Sequence, residues 1–381
     1  MRQAGSENGD HDINGKNIMI LLLIADGRSI HTQRWAEFFA LKGHTVHLVT
    51  YDPMNRTIPG VTEHVLNSRW KNLYLSFLPR HFQIKKIIRE IHPDLIHAHF
   101  IAKYGFHLPG LAGYPRVVSA WGDDVLILPK KSRTIFNYTK KVLKDADLVY
   151  AVSHDIQGHI IRDFGISESK IRYLPFGIDT DLFSPPLPGQ TPLRETIEVF
   201  SNRGFFPVYD NETLVRGFAR AYTRDSRLRL ILKGEGHEEQ KIRDLIVNLG
   251  LPAEIVTFQK KTVYSQVPND YRQADIFITT SQSDGTPVSV LEAMASGIPC
   301  IATAVGGIPE WVNEGVTGLL IQPRSPERVA SAILLLASDR AMRNRMGTAA
   351  RERILRDGQW KTLMETAEKD YQELIKTYRQ D

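Results

Sequence analysis

The chain has 381 residues, 42% of them hydrophobic and 24% charged, with a formal net charge of +5. That length favours two cores over one, and that composition excludes a wholly disordered chain. The single cysteine, Cys300, excludes an internal disulfide and a cysteine-based zinc site, and no run of apolar residues is long enough to span a membrane.

Residues 1–16 are polar and read as a disordered tail. The run IMILLLIA (Ile18–Ala25) is too short to cross a bilayer, carries no convincing cleavage site and reads as a buried parallel strand. His31–Lys42 has Trp35, Phe38 and Phe39 at helical spacing and stops before Gly43. Strands are expected at 45–50, 94–100, 116–121, 148–153 and 171–177, with a helix over 84–91 that ends before Pro93. Strands alternating with helices imply βαβ units and a doubly wound sheet.

FSPPLPGQTP (Phe183–Pro192) has four prolines and a glycine in ten residues, which marks a linker. Beyond it the alternation restarts. Strands are expected at 197–202, 228–234, 254–258, 275–280, 299–303 and 317–321. Helices are expected at 211–223, 238–249, 263–273, 288–296, 308–313, 325–337, 339–355 and 360–381. The expected organisation is two α/β domains at 17–183 and 196–358, a linker at 184–195 and a closing segment at 359–381.

Positive charge is clustered. Leu66–Glu90 holds Arg69, Lys71, Arg80, Lys85, Lys86 and Arg89 against Glu90 alone; Pro129–Lys144 holds six basic residues and no acid. Trp70, Tyr74, Phe77, Phe82, Phe136 and Tyr138 interleave them. Two readings stand: solvated helix faces, or a surface for anionic lipid headgroups or an anionic substrate. No nucleic-acid module accompanies the charge, so nucleic acid is not expected as a partner.

The segment richest in chemistry is SDGTPVSVLEAMASG (Ser283–Gly297). From Gly285 to Pro309 there is one charge in twenty-five residues, Glu292. A lone carboxylate in an apolar helix is costly unless something binds it. In open α/β sheets ligands bind beyond the carboxyl ends of strands, at helix N-termini. Gly285 and Pro287 shape a loop whose N–H groups suit a diphosphate, and Asp284 lies on that loop. A carboxylate accepts hydrogen bonds from a vicinal diol such as a ribose. The alternative is that Glu292 pairs with a backbone amide or a basic side chain.

The segment SDGTPVSVLEAMASGIPCIATAVGGIPEWVNEGVTGLLI resembles the donor-site signature of family 4 retaining glycosyltransferases. The matching features are Asp284 and Glu292 separated by seven residues, Ala293-Met294-Ala295, Gly297-Ile298-Pro299, Gly306-Gly307 and Gly315–Gly318. The segments ADGRSIHTQRWAEFFALKGHTVHLVT, PDLIHAHF, ADLVYAVS and LPFGIDTDLFSP extend the likeness over nearly all of the chain after residue 17. The resemblance implies an α/β protein of GT-B architecture: two Rossmann-like domains facing across a cleft, with a C-terminal helix returning to the first.

It further implies a donor site of Arg203, Asp284, Gly285, Thr286, Pro287, Val288, Ser289 and Glu292. Glu292 would hold the ribose, Asp284 would contact the donor sugar and Arg203 would neutralise the diphosphate; Arg203 and Asp284 are the catalytic positions. The reaction implied moves a sugar from a UDP- or GDP-sugar, with retention, to a glycan or lipid-linked acceptor, in cell-envelope polysaccharide or glycolipid synthesis. No further cofactor and no metal are expected. The expected location is the cytoplasm, peripherally at the inner face of the membrane.

Three positions depart from the family pattern. Asp284 stands where glutamate is commoner. Tyr209 stands near the place of a lysine, whose charge Lys233, Lys260 or Lys261 could supply. Trp121, in SAWGDD, stands near a usual histidine; it cannot move a proton but could stack on a sugar. Gly27, His31, His99, Trp121 and Asp123 are the candidates for the acceptor side. Asp179-Thr180-Asp181 and Asp145-Ala146-Asp147 have the spacing of a metal motif, but Asp179 reads better as a local cap. His97 and His99 read better as core or cleft lining than as ligands, since no third ligand is evident. The alternatives to a transferase are a GT-B nucleotide-sugar epimerase and a non-catalytic sugar-nucleotide-binding subunit.

Overall fold

A computed structural model of the chain describes residues 18–67, 73–187 and 194–380, with the side chains of 73 and 74 left out. The expected tail at 1–16, the Arg69–Lys71 part of the first basic stretch, the Tyr74 side chain and residues 188–193 of the linker lie outside this description.

The first half runs β1 (Ile20–Ile24), α1 (Ile30–Leu41), β2 (Thr45–Thr50), β3 (Val61–Val65), α2 (Leu73–Ile91), β4 (Leu95–His99) and β5 (Arg116–Ala120). Three helices follow, α3 (Asp123–Leu126), α4 (Leu128–Lys131) and α5 (Arg133–Asp145), and then β6 (Leu148–Ala151), α6 (His154–Phe164) and β7 (Ile171–Tyr173). The sheet order is β3-β2-β1-β4-β5-β6-β7. Leu23 of β1 lies opposite Leu48 and His97 in parallel register. β1 is apolar along its whole length because helices must cover both of its faces.

The second half runs β8 (Ile197–Ser201), α7 (Asn211–Tyr222), β9 (Leu228–Lys233), α8 (Glu239–Asn248), β10 (Val256–Gln259), α9 (Val267–Gln273) and β11 (Ile276–Thr279). It continues with α10 (Val288–Ala295), β12 (Cys300–Thr303), α11 (Ile308–Trp311), β13 (Gly318–Ile321), α12 (Pro326–Ser338), α13 (Arg340–Asp357) and α14 (Trp360–Gln380). Its sheet order is β10-β9-β8-β11-β12-β13. Alternate residues feed two cores. Val199, Leu230, Ile276 and Ile278 pack toward α7 and α12, and Phe200 and Phe277 pack toward α10 and Trp311.

The chain divides into two compact units. One holds the described residues within 1–119, 132–149 and 368–381; the other holds 120–131 and 150–367. The end of α14 therefore belongs to the first unit. There the Tyr371 ring stacks on Phe39 at 5.2 Å between centroids. Its hydroxyl takes a hydrogen bond from Trp35 Nε1 at 3.2 Å and lies 2.5 Å from His97 Nδ1. A neutral His97 with its proton on Nε2 accepts from Tyr371 and donates to Ser119 Oγ at 2.8 Å.

Some expectations need correction. The helix expected at 84–91 begins at Leu73. β3, α3, α4, α5 and α6 were not assigned from the sequence. β3 is an edge strand with a mostly half-exposed burial pattern, so its apolar alternation is weak. α5 looked like a charge cluster because only Thr139, Val142 and Leu143 of it are buried.

Candidate active site

The sheet of the second unit reverses direction between β8 and β11. β9 and β10 extend to one side of β8, and β12 and β13 extend beyond β11. Ligands in open α/β sheets bind at such a switch point, beyond the strand ends. Asn202 and Arg203 follow β8 directly. The loop after β11 carries Asp284 and leads into α10.

Arg203 Nη2 donates to Asp284 Oδ2 at 2.6 Å and Nη1 donates to Ser289 Oγ at 2.9 Å. The guanidinium lies over the Tyr209 ring, 4.1 Å from its centroid. Tyr209 brings no charge of its own; its ring supports the Arg203 guanidinium. Arg203 Nε is buried and has no hydrogen-bond partner among the described residues. Burial raises the Asp284 carboxyl above the ordinary value, Arg203 opposes that, and nearby Asp123 adds to it.

The loop is fixed by close backbone contacts. Thr286 Oγ1 donates to the Val152 carbonyl, and Gly307 N donates to Asp284 O at 3.1 Å. A Cβ on Gly306 or Gly307 would overlap the Asp284 or Gly285 carbonyl, so the glycine pair lets this second loop lie flat on the first. A Cβ on Gly285 would likewise press on the Trp121 carbonyl. Pro287 precedes the first turn of α10, and Val288 begins it.

Glu292 is only 5% exposed. Its Oε2 accepts from the Tyr271 hydroxyl at 2.8 Å, which answers part of the question posed by a lone buried carboxylate. A tyrosine hydroxyl was not among the partners weighed from the sequence. Tyr271 and Asn202 carry no motif and were not singled out. Lys233 is 5% exposed and its Nζ lies 2.6 Å from Asp270 Oδ2. It points inward at the end of β9, whereas Lys260 and Lys261 are exposed.

The structure thus brings together Arg203, Asp284 and Ser289 by direct hydrogen bonds, with Glu292 further along α10. Trp121 meets Phe176 edge to face at 5.4 Å between centroids. Gly27, His31 and His99 lie in the first unit. Gly27 N donates to Asp52 O at 2.9 Å, and His99 Nδ1 lies 3.3 Å from Thr32 Oγ1. Burial lowers both His31 and His99 to about 3, so both are neutral. Asp179 Oδ1 accepts from Asp181 N and Leu182 N, each at 3.1 Å, which is the capping role read from its sequence. Among the described residues no group of three or more His, Cys, Asp or Glu side chains is placed to hold a metal ion.

Two family models match separate stretches of the chain. Residues 192–353 match the family model of glycosyl transferases group 1, and residues 20–153 match that of glycosyl transferase 4-like proteins. A GDP-mannose-dependent alpha-(1-6)-phosphatidylinositol monomannoside mannosyltransferase of Mycobacterium tuberculosis is 32% identical over 269 residues, 66% of this chain and 68% of that protein. A glycosyltransferase structure from Rickettsia africae superposes with a TM-score of 0.79 at 20% identity, covering 95% of this chain and all of that one. HepE of Anabaena, in complex with UDP, superposes with a TM-score of 0.77 at 20% identity, over 93% of this chain and all of that one. These structural likenesses establish the GT-B fold, and with the family matches they carry the conclusion that the chain belongs to the family 4 glycosyltransferases.

Proposed function

We propose that this enzyme moves a sugar from a UDP- or GDP-sugar to a hydroxyl of a glycan or lipid-linked acceptor, with retention of anomeric configuration, in cell-envelope glycolipid or polysaccharide synthesis. The observation that carries the reading is the grouping of Arg203, Asp284 and Ser289 at the switch point of the second sheet, with buried Glu292 on the helix that follows. Two likenesses support the reading: a mannosyltransferase relative is named for GDP-mannose and phosphatidylinositol monomannoside, and a structural neighbour is held with UDP.

In this reading Glu292 accepts from the ribose hydroxyls and the first turn of α10 faces the diphosphate. As the bond to the sugar breaks, negative charge grows on the diphosphate. Arg203 stabilises it, because a planar fork donates to two oxygens at once. The partnerless Nε suits a further acceptor. The leaving phosphate takes the proton of the attacking hydroxyl, so sugar and proton change hands on one face of the donor. Asp284 orients the donor sugar. Lys233, paired with Asp270 at the end of β9, is our further donor-side candidate, and no metal is required. Our acceptor-side candidates are Gly27, His31 and His99 in the first unit and, separately, Trp121 and Asp123 in the second.

The acceptor side meets an anionic membrane surface through α2. Leu75, Leu78 and Phe82 are about three-fifths exposed on one helix face, with Lys86 and Arg89 exposed on the last turns. An apolar stripe with basic flanks suits an anionic interface. Among the described residues no helix is long and apolar enough to cross a membrane.

Thermal unfolding with UDP, GDP, ADP and CMP tests the donor site. A nucleotide at a hundred times its Kd adds about 2.7 kcal/mol of stability. UDP or GDP is expected to raise Tm in the wild type and not in Glu292→Ala. A shift that persists undiminished in that variant places the ribose elsewhere.

A further inference from the structure

Tyr271 lies on α9, 21 positions before Glu292, and is fully buried. Its ring is held by Phe200 at 5.3 Å, Phe277 at 5.7 Å and Phe183 at 5.9 Å between centroids. Such a ring has one orientation, so its hydroxyl has one position. Three groups surround that hydroxyl. Asn202 Nδ2 donates to it at 2.8 Å, Glu292 Oε2 lies at 2.8 Å and the Ser289 carbonyl at 3.0 Å. A tyrosine has one proton to give. The shorter, charge-assisted contact to the carboxylate takes it, and Asn202 fills the acceptor side.

We infer that Tyr271, oriented by Asn202, is the positioning residue that sets the Glu292 carboxylate for the ribose diol of the donor. This deepens the reading of Glu292 as the ribose-binding group and rests on it. Burial and the Glu292 charge push the Tyr271 hydroxyl far above its ordinary value, so it remains a donor throughout the working pH range. The Oε2 of Glu292 is thereby held along a fixed direction. The rotamer search that a glutamate otherwise makes before gripping a diol is already complete. The relay also joins the end of β8 to α10, because Asn202 neighbours Arg203 in sequence and Glu292 shares a helix with Ser289.

The test measures Kd for UDP and GDP, and for their 2′,3′-dideoxy counterparts, by calorimetry. It compares the wild type, Tyr271→Phe and Asn202→Ala. The wild type is expected to prefer the ribonucleotide it binds over the dideoxy form. Tyr271→Phe keeps the packed ring and is expected to weaken the ribonucleotide about three- to tenfold while leaving the dideoxy form unchanged. Asn202→Ala, which leaves the ring intact, is expected to do the same to a smaller degree.

A merely structural tyrosine would weaken both ligands together, and that result overturns the proposal. So does undiminished ribose preference in Tyr271→Phe. A wild type with no ribose preference removes the assignment of Glu292 itself and this inference with it. That failure is visible in the wild type alone, before any variant is compared.

Discussion

Arg203 divides its fork between Asp284 and Ser289 and rests its plane on Tyr209. A lysine there keeps the charge but loses the fork and the stacking. Arg203→Lys is therefore expected to lower kcat/KM about 10- to 100-fold, the range of one or two charge-assisted hydrogen bonds, with the fold intact by circular dichroism. Steady-state kinetics within twofold of the wild type would remove Arg203 from the diphosphate. Glu292 could be singled out from the chain alone because an isolated charge in an apolar helix stands out. Arg203 became visible only through the likeness to a family, since a loop arginine has no local signature. Tyr271 stayed hidden: in a string such as NDYRQ nothing marks a hydroxyl whose meaning depends on a glutamate two elements later.

α9 is only seven residues long, yet three consecutive side chains on it hold three different parts of the second unit. Asp270 grips Lys233, Tyr271 grips Glu292, and Arg272 donates to the Leu182 and Ser184 carbonyls at 2.9 and 3.2 Å. Its existence was expected from periodicity; its role follows only from where the sheet order puts it. α2 shows the opposite case. Its basic and aromatic character was plain, but its start was placed eleven residues late, because the stripe of Leu75, Leu78 and Phe82 faces outward rather than into a core. Replacing Leu78 and Phe82 with serine is expected to reduce co-sedimentation with phosphatidylglycerol-rich vesicles severalfold. Burying each apolar side chain in an interface contributes on the order of 1–3 kcal/mol. Unchanged sedimentation would leave α2 without a membrane role.

The two-sheet architecture was legible across the chain because fully buried strands are dense apolar runs separated by punctuating glycines and prolines. Less visible was how much polar chemistry the first unit buries. His31, His97, His99 and His107 are held neutral by burial, three of them near 3. Well above their ordinary value of 6.5 the folded and unfolded chains bind the same protons there, and these groups cost nothing. Below it the unfolded chain takes up protons that the folded one refuses, so stability falls as pH drops from 6.5 toward 3. Each histidine contributes on the order of 1 kcal/mol per pH unit over that window. Urea midpoints at pH 7.5, 6.5 and 5.5 should fall slightly over the first interval and more steeply over the second. A midpoint that rises on going to pH 5.5 contradicts the assignment.

The placement of Tyr371 among Trp35, Phe39 and His97 also sets a timetable for synthesis. Trp35 and Tyr371 are 336 positions apart. At about 5–20 residues per second, roughly 20–70 s separate the moments at which a ribosome delivers them. Through that interval Phe39 and Trp35 wait without the ring that covers them, while the second unit, most of it contiguous in the chain, can complete itself. The unit that begins earlier along the chain is thus finished later, and its Trp35 and Phe39 stay uncovered until Tyr371 arrives.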